Sequence, residues 1–227
     1  MDVAIASTLR LLVPPHSAWF LKRSKSPTLD GPIRRSASLR RPMQSLLSRL
    51  RNGLFLLTRV ASRDQPGEIV LSCPEGRRLV RIDVSHQQGV CFSMRHLVAF
   101  SQDVHIESYI NLSMAATGAD RNFVYMAWCP RPDAAGAIVL ETNGQPTTVE
   151  SEASSFELKR VLAWDPRVEY RFGELPNIAD ILFMPLHIAT RWNGGGVAVL
   201  LEADDSESQP LMRHVVRFVA SLFLPSF

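Results

Sequence analysis

Hydrophobic and polar residues alternate along most of this chain in short runs that turn residues separate. Between residues 54 and 109 this pattern predicts six strands, at 54–60, 68–73, 79–84, 89–93, 96–101 and 103–109. The sequences between them include Pro66-Gly67 and Pro74-Glu75-Gly76, which favour turns. The chain is therefore predicted to be rich in β-structure.

The alternating segments also repeat along the chain. The segment LVAFSQDVHIES at 97–108 matches VLAWDPRVEYRF at 161–172. Upstream, GEIVL at 67–71 matches GAIVL at 136–140, and FLLTRV at 55–60 matches FVYMAW at 123–128. A repeat of this size, made of short strands and turns, predicts a β architecture assembled from repeated units.

The N-terminal segment is interpreted as a further, degenerate unit. Residues 9–13 and 17–21 are apolar and flank Pro14-Pro15, which predicts a strand, a turn and a strand. They align loosely with residues 81–84 and 90–93. The Arg-rich, Ser-rich and acid-poor composition is also typical of an organelle transit peptide. We favour the folded unit over a cleaved presequence.

Two helices and two late β features complete the pattern. The spacing of apolar residues predicts a short amphipathic helix at 43–51 and a C-terminal helix at 211–223. The late strand at 197–201 resembles the unit-opening segment at 53–57, and Asn143-Gly144 is the strongest hairpin signal in the chain. The prediction is an all-β fold of repeated antiparallel units, in a single domain at 1–205 with units at about 8–52, 53–122 and 123–205, followed by a C-terminal helix and tail at 206–227.

The charge of the chain is unevenly distributed. The chain has 227 residues, a hydrophobic content of 46% and a net charge of +3. Residues 1–53 contain ten Lys or Arg against Asp2 and Asp30, which gives +8, and the remaining 15 basic and 20 acidic residues give −5. A basic segment can contact a nucleic acid or an anionic membrane. The candidate contacts with an anionic surface are Arg34, Arg35, Arg40, Arg41, Arg49 and Arg51.

No motif in the sequence indicates a cofactor, a metal or a catalytic centre. Cys73, Cys91 and Cys129 form no CxxC pair, which argues against a zinc site and a disulfide framework and favours free thiols in a reducing compartment. The six histidines have no metal-ligand spacing, although His96 and His105 fall on neighbouring predicted strands.

Four other groups of residues are candidates for chemistry. Asp83, Ser85 and His86 are close in sequence, but no GxSxG elbow accompanies them. Glu107 and Glu169 occupy equivalent repeat positions and are interpreted as exposed acids on one strand face. The glycines at 194–196 precede a strand rather than the helix that a phosphate site needs. Trp19, Trp128 and Trp164 are interpreted as core residues rather than as a base-stacking surface. We therefore expect a protein that is not an enzyme.

The order and spacing of these segments resemble the altered-inheritance-of-mitochondria protein twenty-four family. The segments that carry the resemblance are GLFLLTRV at 53–60, GEIVL at 67–71, HLVAF at 96–100, VLAW at 161–164 and RWNGGGVAVLLEA at 191–203. The match covers about residues 8–205. The first unit departs from the family because it is short and basic, and residues 31–41 replace a glycine-rich loop.

The resemblance implies three antiparallel β units about a pseudo-threefold axis, as in the tryptophan RNA-binding attenuator protein-like superfamily, and no established enzymatic activity. Fungal members are mitochondrial and are linked to inner-membrane organisation. The expectation is a scaffold or interaction protein that self-associates or binds a protein partner, with peripheral membrane contact as a further role. An RNA-binding regulator is the alternative by superfamily analogy, although the acidic β region disfavours nucleic acid. No small-molecule substrate is inferred. The expected location is cytoplasmic for a bacterial source or mitochondrial for a eukaryotic one.

No run of the sequence approaches eighteen uninterrupted apolar residues. A helix needs about 20 such residues to cross a bilayer. The sequence therefore predicts no membrane-spanning helix.

Overall fold

A computed structural model describes the chain at residues 2–22, 27–38, 57–110, 123–150, 154–157, 160–172, 189–193 and 198–201. Within these ranges the secondary structure consists of β-strands and one short 3-10 helix, Met94–His96. Every strand pair in these ranges is antiparallel. The all-β prediction is confirmed.

The strands fall into one leading strand and three sets of six. The leading strand, β1, is Val3–Ala6. The first set is β2 (Thr8–Val13), β3 (Ala18–Lys22), β4 (Thr28–Asp30), β5 (Ile33–Ser38), β6 (Leu57–Ser62) and β7 (Gly67–Ser72). The second set is β8 (Arg77–Ser85), β9 (Val90–Phe92), β10 (Leu97–Ser101), β11 (His105–Ile110), β12 (Phe123–Trp128) and β13 (Ala135–Asn143). The third set is β14 (Thr147–Glu150), β15 (Ser154–Glu157), β16 (Val161–Trp164), β17 (Glu169–Phe172), β18 (Ala189–Asn193) and β19 (Ala198–Leu201).

The same strand-pairing pattern occurs in each set. The sixth strand lies between the first and the third: β7 between β2 and β4, β13 between β8 and β10, and β19 between β14 and β16. The fifth strand lies between the second and the fourth: β6 between β3 and β5, β12 between β9 and β11, and β18 between β15 and β17. The pairing sets break after residues 72 and 143, whereas the predicted units break near 52 and 122, because the fifth and sixth strands pair back onto earlier strands of the same set.

Two strand pairs join the sets into larger sheets. β10 also pairs with β3, and β16 also pairs with β9. These pairs produce a seven-stranded sheet, β1-β8-β13-β10-β3-β6-β5, and a six-stranded sheet, β11-β12-β9-β16-β19-β14. Two three-stranded sheets, β2-β7-β4 and β15-β18-β17, complete the described sheets.

The segments that match in sequence occupy equivalent strands. FLLTRV and FVYMAW overlap β6 and β12, GEIVL and GAIVL belong to β7 and β13, and LVAF and VLAW belong to β10 and β16. The latter two strands even share an irregularity, because the register shifts between Leu97 and Ala99 in β10 and between Val161 and Ala163 in β16. The N-terminal segment is folded as β2 and β3, which have the same pairing positions as β8 and β9.

Two sequence predictions are wrong. The strand at 197–201 was expected to match the unit-opening segment at 53–57, but β19 has the pairing position of β7 and β13. Asn143-Gly144 was expected to form a hairpin, but β13 and β14 belong to different sheets. Gly144 has the left-handed φ of 67° that favours this dipeptide. Its N–H donates to Gly76 O at 2.7 Å, so the turn packs against another turn and redirects the chain.

The core consists of two apolar clusters that involve the seven-stranded sheet. One cluster joins this sheet to the six-stranded sheet, and its members include Phe20, Phe92, Phe100, Ile82 and Ile138. The other joins it to the β2-β7-β4 sheet through Leu11, Trp19, Leu21, Ile69 and Val139. A central strand of the seven-stranded sheet can consequently be apolar on both faces, as shown by the continuous burial of β10.

Glycines at the start of β7 and β13 allow the neighbouring strands to approach closely. A Cβ atom on Gly136 would lie 2.6 Å from both Ser101 Oγ and Val104 Cγ2. A Cβ atom on Gly67 would lie 2.6 Å from Ile33 Cδ1. Since both distances are far below van der Waals contact, the repeated glycine of GEIVL and GAIVL has a packing role in both sets.

Several predicted features lie outside the described residues. They are the helix at 43–51, the C-terminal helix and tail at 206–227, and the candidate contact residues Arg40, Arg41, Arg49 and Arg51. The described ranges contain no helix long and apolar enough to cross a membrane.

Candidate functional site

The outer strand β5 places two of the candidate arginines at a sheet edge. β5 is the last strand of the seven-stranded sheet and pairs with β6. Arg34 and Arg35 are exposed, and only the ends of the strand are partly buried. The Arg35 guanidinium donates to the carbonyl of Pro27, whereas no described residue forms a hydrogen bond or an ion pair with the Arg34 side chain. Arg34 is thus a cation available to a partner.

A cleft lies on the same sheet beyond the end of β2, and its floor is made of small residues. Its volume is about 500 Å³, which is within the range of ligand-binding clefts. Ala135, Gly136 and Ala137 of β13 line the floor, and Leu12 and Trp19 contribute an apolar wall. Leu12 is 64% exposed, and among the described residues it is the one large hydrophobic residue that is exposed to solvent. The Trp19 Nε1–H donates to Leu12 O at 3.3 Å, which fixes this wall.

The rim of the cleft is acidic. Asp2, Asp83 and Asp103 line it together with a single cation, Arg81. Arg81 Nη2 lies 2.9 Å from Asp83 Oδ1. Asp103 pairs at 2.6 Å with Arg131, whose side chain is 66% exposed and is not part of the lining. The lining therefore carries a net negative charge and suits a cationic ligand with an apolar portion.

The side chains of Asp83, Ser85 and His86 do not form a catalytic triad. Ser85 Oγ accepts the backbone N–H of Gln88 at 3.0 Å, and His86 Nδ1 lies 3.0 Å from Cys129 O. Asp83 is bound to Arg81 instead of His86. Each group is oriented toward a different partner, so the nucleophile–base contact that acyl transfer requires is absent among these residues.

His96 and His105 are not brought together as metal ligands. His96 is buried, accepts Arg95 Nε–H at its Nε2 at 2.7 Å and lies with Nδ1 2.8 Å from Glu141 O. Since Nε2 accepts, Nδ1 carries the proton and His96 is a satisfied core histidine. His105 contacts the Trp128 ring edge-on at a centroid distance of 5.9 Å. The described ranges hold no group of three metal-ligating side chains.

The remaining candidates are structural or unconnected. Trp19 and Trp164 are 5% and 3% exposed, as predicted for core residues, and Trp128 is half-buried between His86 and His105. Glu107 and Glu169 lie on β11 and β17, which belong to different sheets. The three cysteines are free thiols, and burial, with a smaller contribution from the charge of Asp165, raises the pKa of Cys91 to about 12. A thiol with this pKa is not a nucleophile at neutral pH.

Sequence reasoning missed the cleft because its floor has no distinctive pattern. Ala135, Gly136 and Ala137 are part of an ordinary apolar strand sequence, and the rim carboxylates are spread over residues 2 to 103. The available signal was the run of small residues in β13 opposite Asp83 and Ser85, which pair with Ala137 and Ala135.

The comparisons with known proteins agree with the fold and add no activity. No family model matches the chain, and no curated protein matches it. The chain is similar in structure to protein SPYM3_0169 from Streptococcus pyogenes, which is known from an X-ray crystal structure. The TM-score is 0.61 at 11% sequence identity, and the match covers 97% of each chain. At this identity the similarity shows the fold alone.

Proposed function

We propose that this chain is a non-enzymatic scaffold or interaction protein of the altered-inheritance-of-mitochondria protein twenty-four type. In this proposal the three strand sets are arranged about a pseudo-threefold axis, as in attenuator-protein-like folds. The pairing pattern that recurs in β2–β7, β8–β13 and β14–β19 supports the arrangement. The near-complete alignment with a structure at a TM-score of 0.61 is compatible with it.

A single observation carries the functional part of the proposal. The polar groups that could have supported catalysis are bound to separate partners, while Arg34 and Arg35 are displayed on the outer strand of the largest sheet. Surface cations on an edge are suited to an electrostatic contact with an anionic surface. They also discourage edge-to-edge aggregation of the sheet.

The proposed contact surface is the basic segment that includes Arg34, Arg35, Arg40, Arg41, Arg49 and Arg51. Its partner is an acidic protein surface or the anionic face of a membrane, reached from a cytoplasmic location or, in a eukaryote, a mitochondrial one. An RNA-binding role receives less support, because Trp19 and Trp164 are buried and offer no base-stacking platform.

Co-sedimentation with vesicles tests the anionic contact. The full chain should bind vesicles containing phosphatidylglycerol and not pure phosphatidylcholine vesicles, and binding should weaken as salt screens the charges. Replacing all six arginines of the segment by Gln should reduce binding at least tenfold. Deleting residues 1–53 is not a suitable test, because β2 to β5 belong to the sheets.

The matched control places the same kind of substitution outside the basic segment. Arg131→Gln removes an exposed arginine from the second set and should leave vesicle binding unchanged. Equal binding by the six-fold variant and the unmodified chain would contradict the proposal for a membrane surface. Equal retention by both vesicle types would show that the contact is not electrostatic.

A further inference from the structure

The cleft beyond the end of β2 has the features of a binding site. Leu12, which is 64% exposed, and the small residues Ala135, Gly136 and Ala137 are among its lining residues, so apolar surface is open to water. Exposed apolar surface surrounded by polar residues is typical of an interaction site. The occupant must therefore contribute apolar contact as well as charge.

The sign of the charge restricts what can enter. Asp83 and Asp103 already pair with Arg81 and Arg131, whereas no described residue forms an ion pair with Asp2. The lining keeps a net negative charge, so an anionic segment would be repelled and a cationic one attracted, with Asp2 as the carboxylate open to it. An arginine or lysine side chain meets both requirements, because its aliphatic stem packs on apolar surface while its head group pairs with carboxylates.

The same chain displays such a cation on its outer strand. Arg34 is exposed on β5 and forms no ion pair with a described residue. The whole chain shows the same separation of charge, because residues 1–53 carry a net charge of +8 and the remaining residues carry a net charge of −5. Arg34 of one copy is therefore electrostatically complementary to the cleft of another, whose lining includes Asp2 of the first part of the chain and Asp83 and Asp103 of the rest.

The strand register prevents Arg34 from reaching the cleft of its own chain. Directly paired residues of antiparallel strands point to the same face of a sheet. Asp83 and Ala137 are paired on the cleft face. Arg35 lies on the same face, because it pairs with Val60, which pairs with Trp19, which in turn pairs with Ser101. Successive residues alternate between faces, so Arg34 points to the opposite face. A partner for Arg34 among the cleft carboxylates therefore comes from a different molecule.

We propose that the acidic cleft of one copy of this chain binds the Arg34 side of β5 from a second copy. This inference rests on the proposed function, because it names a second copy as an anionic partner of the basic segment. Two unlike surfaces meet, so the interface is heterologous and generates a ring or a filament rather than a closed two-fold dimer. Pairing β5 with β5 would instead bring like charges together.

Sedimentation velocity on the full chain tests the proposal with two complementary variants. Arg34→Glu removes the donor and keeps the cleft. Asp2→Lys combined with Asp83→Lys reverses the charge of the cleft lining and keeps β5, and both positions are exposed. The unmodified chain should form species larger than a monomer at low salt and dissociate at high salt. Each variant alone should be monomeric, with circular dichroism confirming that it is folded.

The decisive sample is an equimolar mixture of the two variants. One partner still has the cleft and the other still has Arg34, so the mixture should form a dimer that grows no further. Assembly by either variant alone, or a monomeric mixture beside an assembling unmodified chain, would overturn the proposal. A monomeric unmodified chain at low salt and high concentration would also overturn it.

The cleft variant separates this inference from the proposed function. Asp2→Lys with Asp83→Lys leaves the basic segment intact, so vesicle binding should be retained while self-association is lost. If the cleft variant assembles normally and vesicle binding still depends on the arginines, the self-association is refuted and the proposed anionic contact stands. If vesicle binding is independent of the arginines while the mixture forms dimers, the membrane contact fails and the self-association stands.

Discussion

The turn after β10 and the turn after β16 are closed by the same backbone hydrogen bond. The N–H of Val104 donates to Ser101 O at 3.2 Å, and the N–H of Val168 donates to Asp165 O at 3.0 Å. Both valines are buried, and both turns follow strands with the same register shift. Equivalent positions in the two sets therefore share backbone geometry and apolar anchors.

The side chains that begin these two turns have different surroundings. Ser101 lies at the cleft, where its Oγ accepts the N–H of Ala137 at 3.1 Å. Asp165 is 4% exposed and accepts the backbone N–H and the guanidinium of Arg167, at 2.9 Å and 2.7 Å. The neutral hydroxyl of Ser101 leaves space for the cleft at the first turn, whereas the Asp165–Arg167 ion pair occupies this space at the second turn.

The comparison shows which part of a repeat is fixed and which part is free. The backbone bond and the buried valine recur in these two sets, whereas the turn after β4 in the first set is closed by a different bond, from the Ile33 N–H to Gly31 O at 2.8 Å. The polar turn residues can differ as long as their hydrogen bonds are satisfied. New chemistry in this fold is therefore expected at turns that face open space, as the turn at Ser101 does.

Displacing the first turn by a bulky side chain at Gly136 should have the largest effect. Gly136→Val would place side-chain atoms where Ser101 Oγ and Val104 Cγ2 already lie 2.6 Å from a Cβ position. We expect a loss of about 3 kcal/mol in the free energy of unfolding, measured by urea denaturation, because overpacking forces the turn to shift. The control Ala135→Val introduces a valine at the adjacent, exposed position of the same strand, whose side chain points to the opposite face of the sheet. It should cost less than about 0.5 kcal/mol.

A second substitution identifies the cause. Val104→Ala removes the Cγ2 atom, so adding it to Gly136→Val should recover part of the lost free energy instead of adding a further loss. Additive effects of the two substitutions would show that the glycine does not serve this close approach.

The charged pair of the second turn should give a smaller and pH-dependent effect. Burial alone would raise the pKa of Asp165, but hydrogen bonds from the side chain and backbone of Arg167 outweigh it, and the net pKa is lowered. Asp165→Ala should cost about 1.5 kcal/mol at neutral pH through the lost charged acceptor. A group with a lowered folded-state pKa stabilises the fold above its unfolded pKa, and this contribution is lost as the pH falls through the folded value.

The pH profile of unfolding checks this sign. The difference between the unmodified chain and Asp165→Ala should be constant near neutrality and should shrink below about pH 4, the ordinary range of an aspartate. Ser101→Ala, at the equivalent position of the first turn, removes a neutral acceptor and should show no such pH dependence. A difference for Asp165→Ala that persists at low pH would contradict the role of the carboxylate.

Much of the strand content could be predicted from the sequence because most strands bury one or both faces. The apolar runs at 79–84 and 96–101 correspond to β8 and β10 within two residues. In β8 the buried residues Val80, Ile82 and Val84 recur at β spacing, and β10 is a short continuous buried run. The pairing partners could not be predicted, because β13 binds β8 and β10 while skipping its sequence neighbour β14. Local turn signals such as Asn143-Gly144 set the backbone conformation and leave the choice of sheet to long-range packing.

The candidate site was predicted only in part for a related reason. Arg34 and Arg35 stand out in sequence as consecutive charges, and their exposure on an edge strand agrees with that reading. The cleft depends on how far β2 extends across the seven-stranded sheet, and no local pattern encodes this overlap. Its negative rim becomes visible only when Asp2, Asp83 and Asp103 are brought together by three separate strand connections.

The smallest expected effect concerns the middle position of the two turns. The Gln102 N–H donates to Ala18 O at 2.9 Å, whereas Pro166 at the corresponding position has no N–H to donate. Gln102→Pro should therefore fit the turn but leave the buried Ala18 carbonyl without this donor. The lost hydrogen bond costs more free energy than proline recovers by restricting the unfolded chain, so we expect a net destabilisation of about 1 kcal/mol in urea unfolding.

The reciprocal variant, Pro166→Gln, breaks no hydrogen bond and should change stability by no more than about 0.5 kcal/mol. Equal costs for the two substitutions would show that the contact between the first turn and β3 contributes nothing specific. In that case the two turns would differ only in their first side chain.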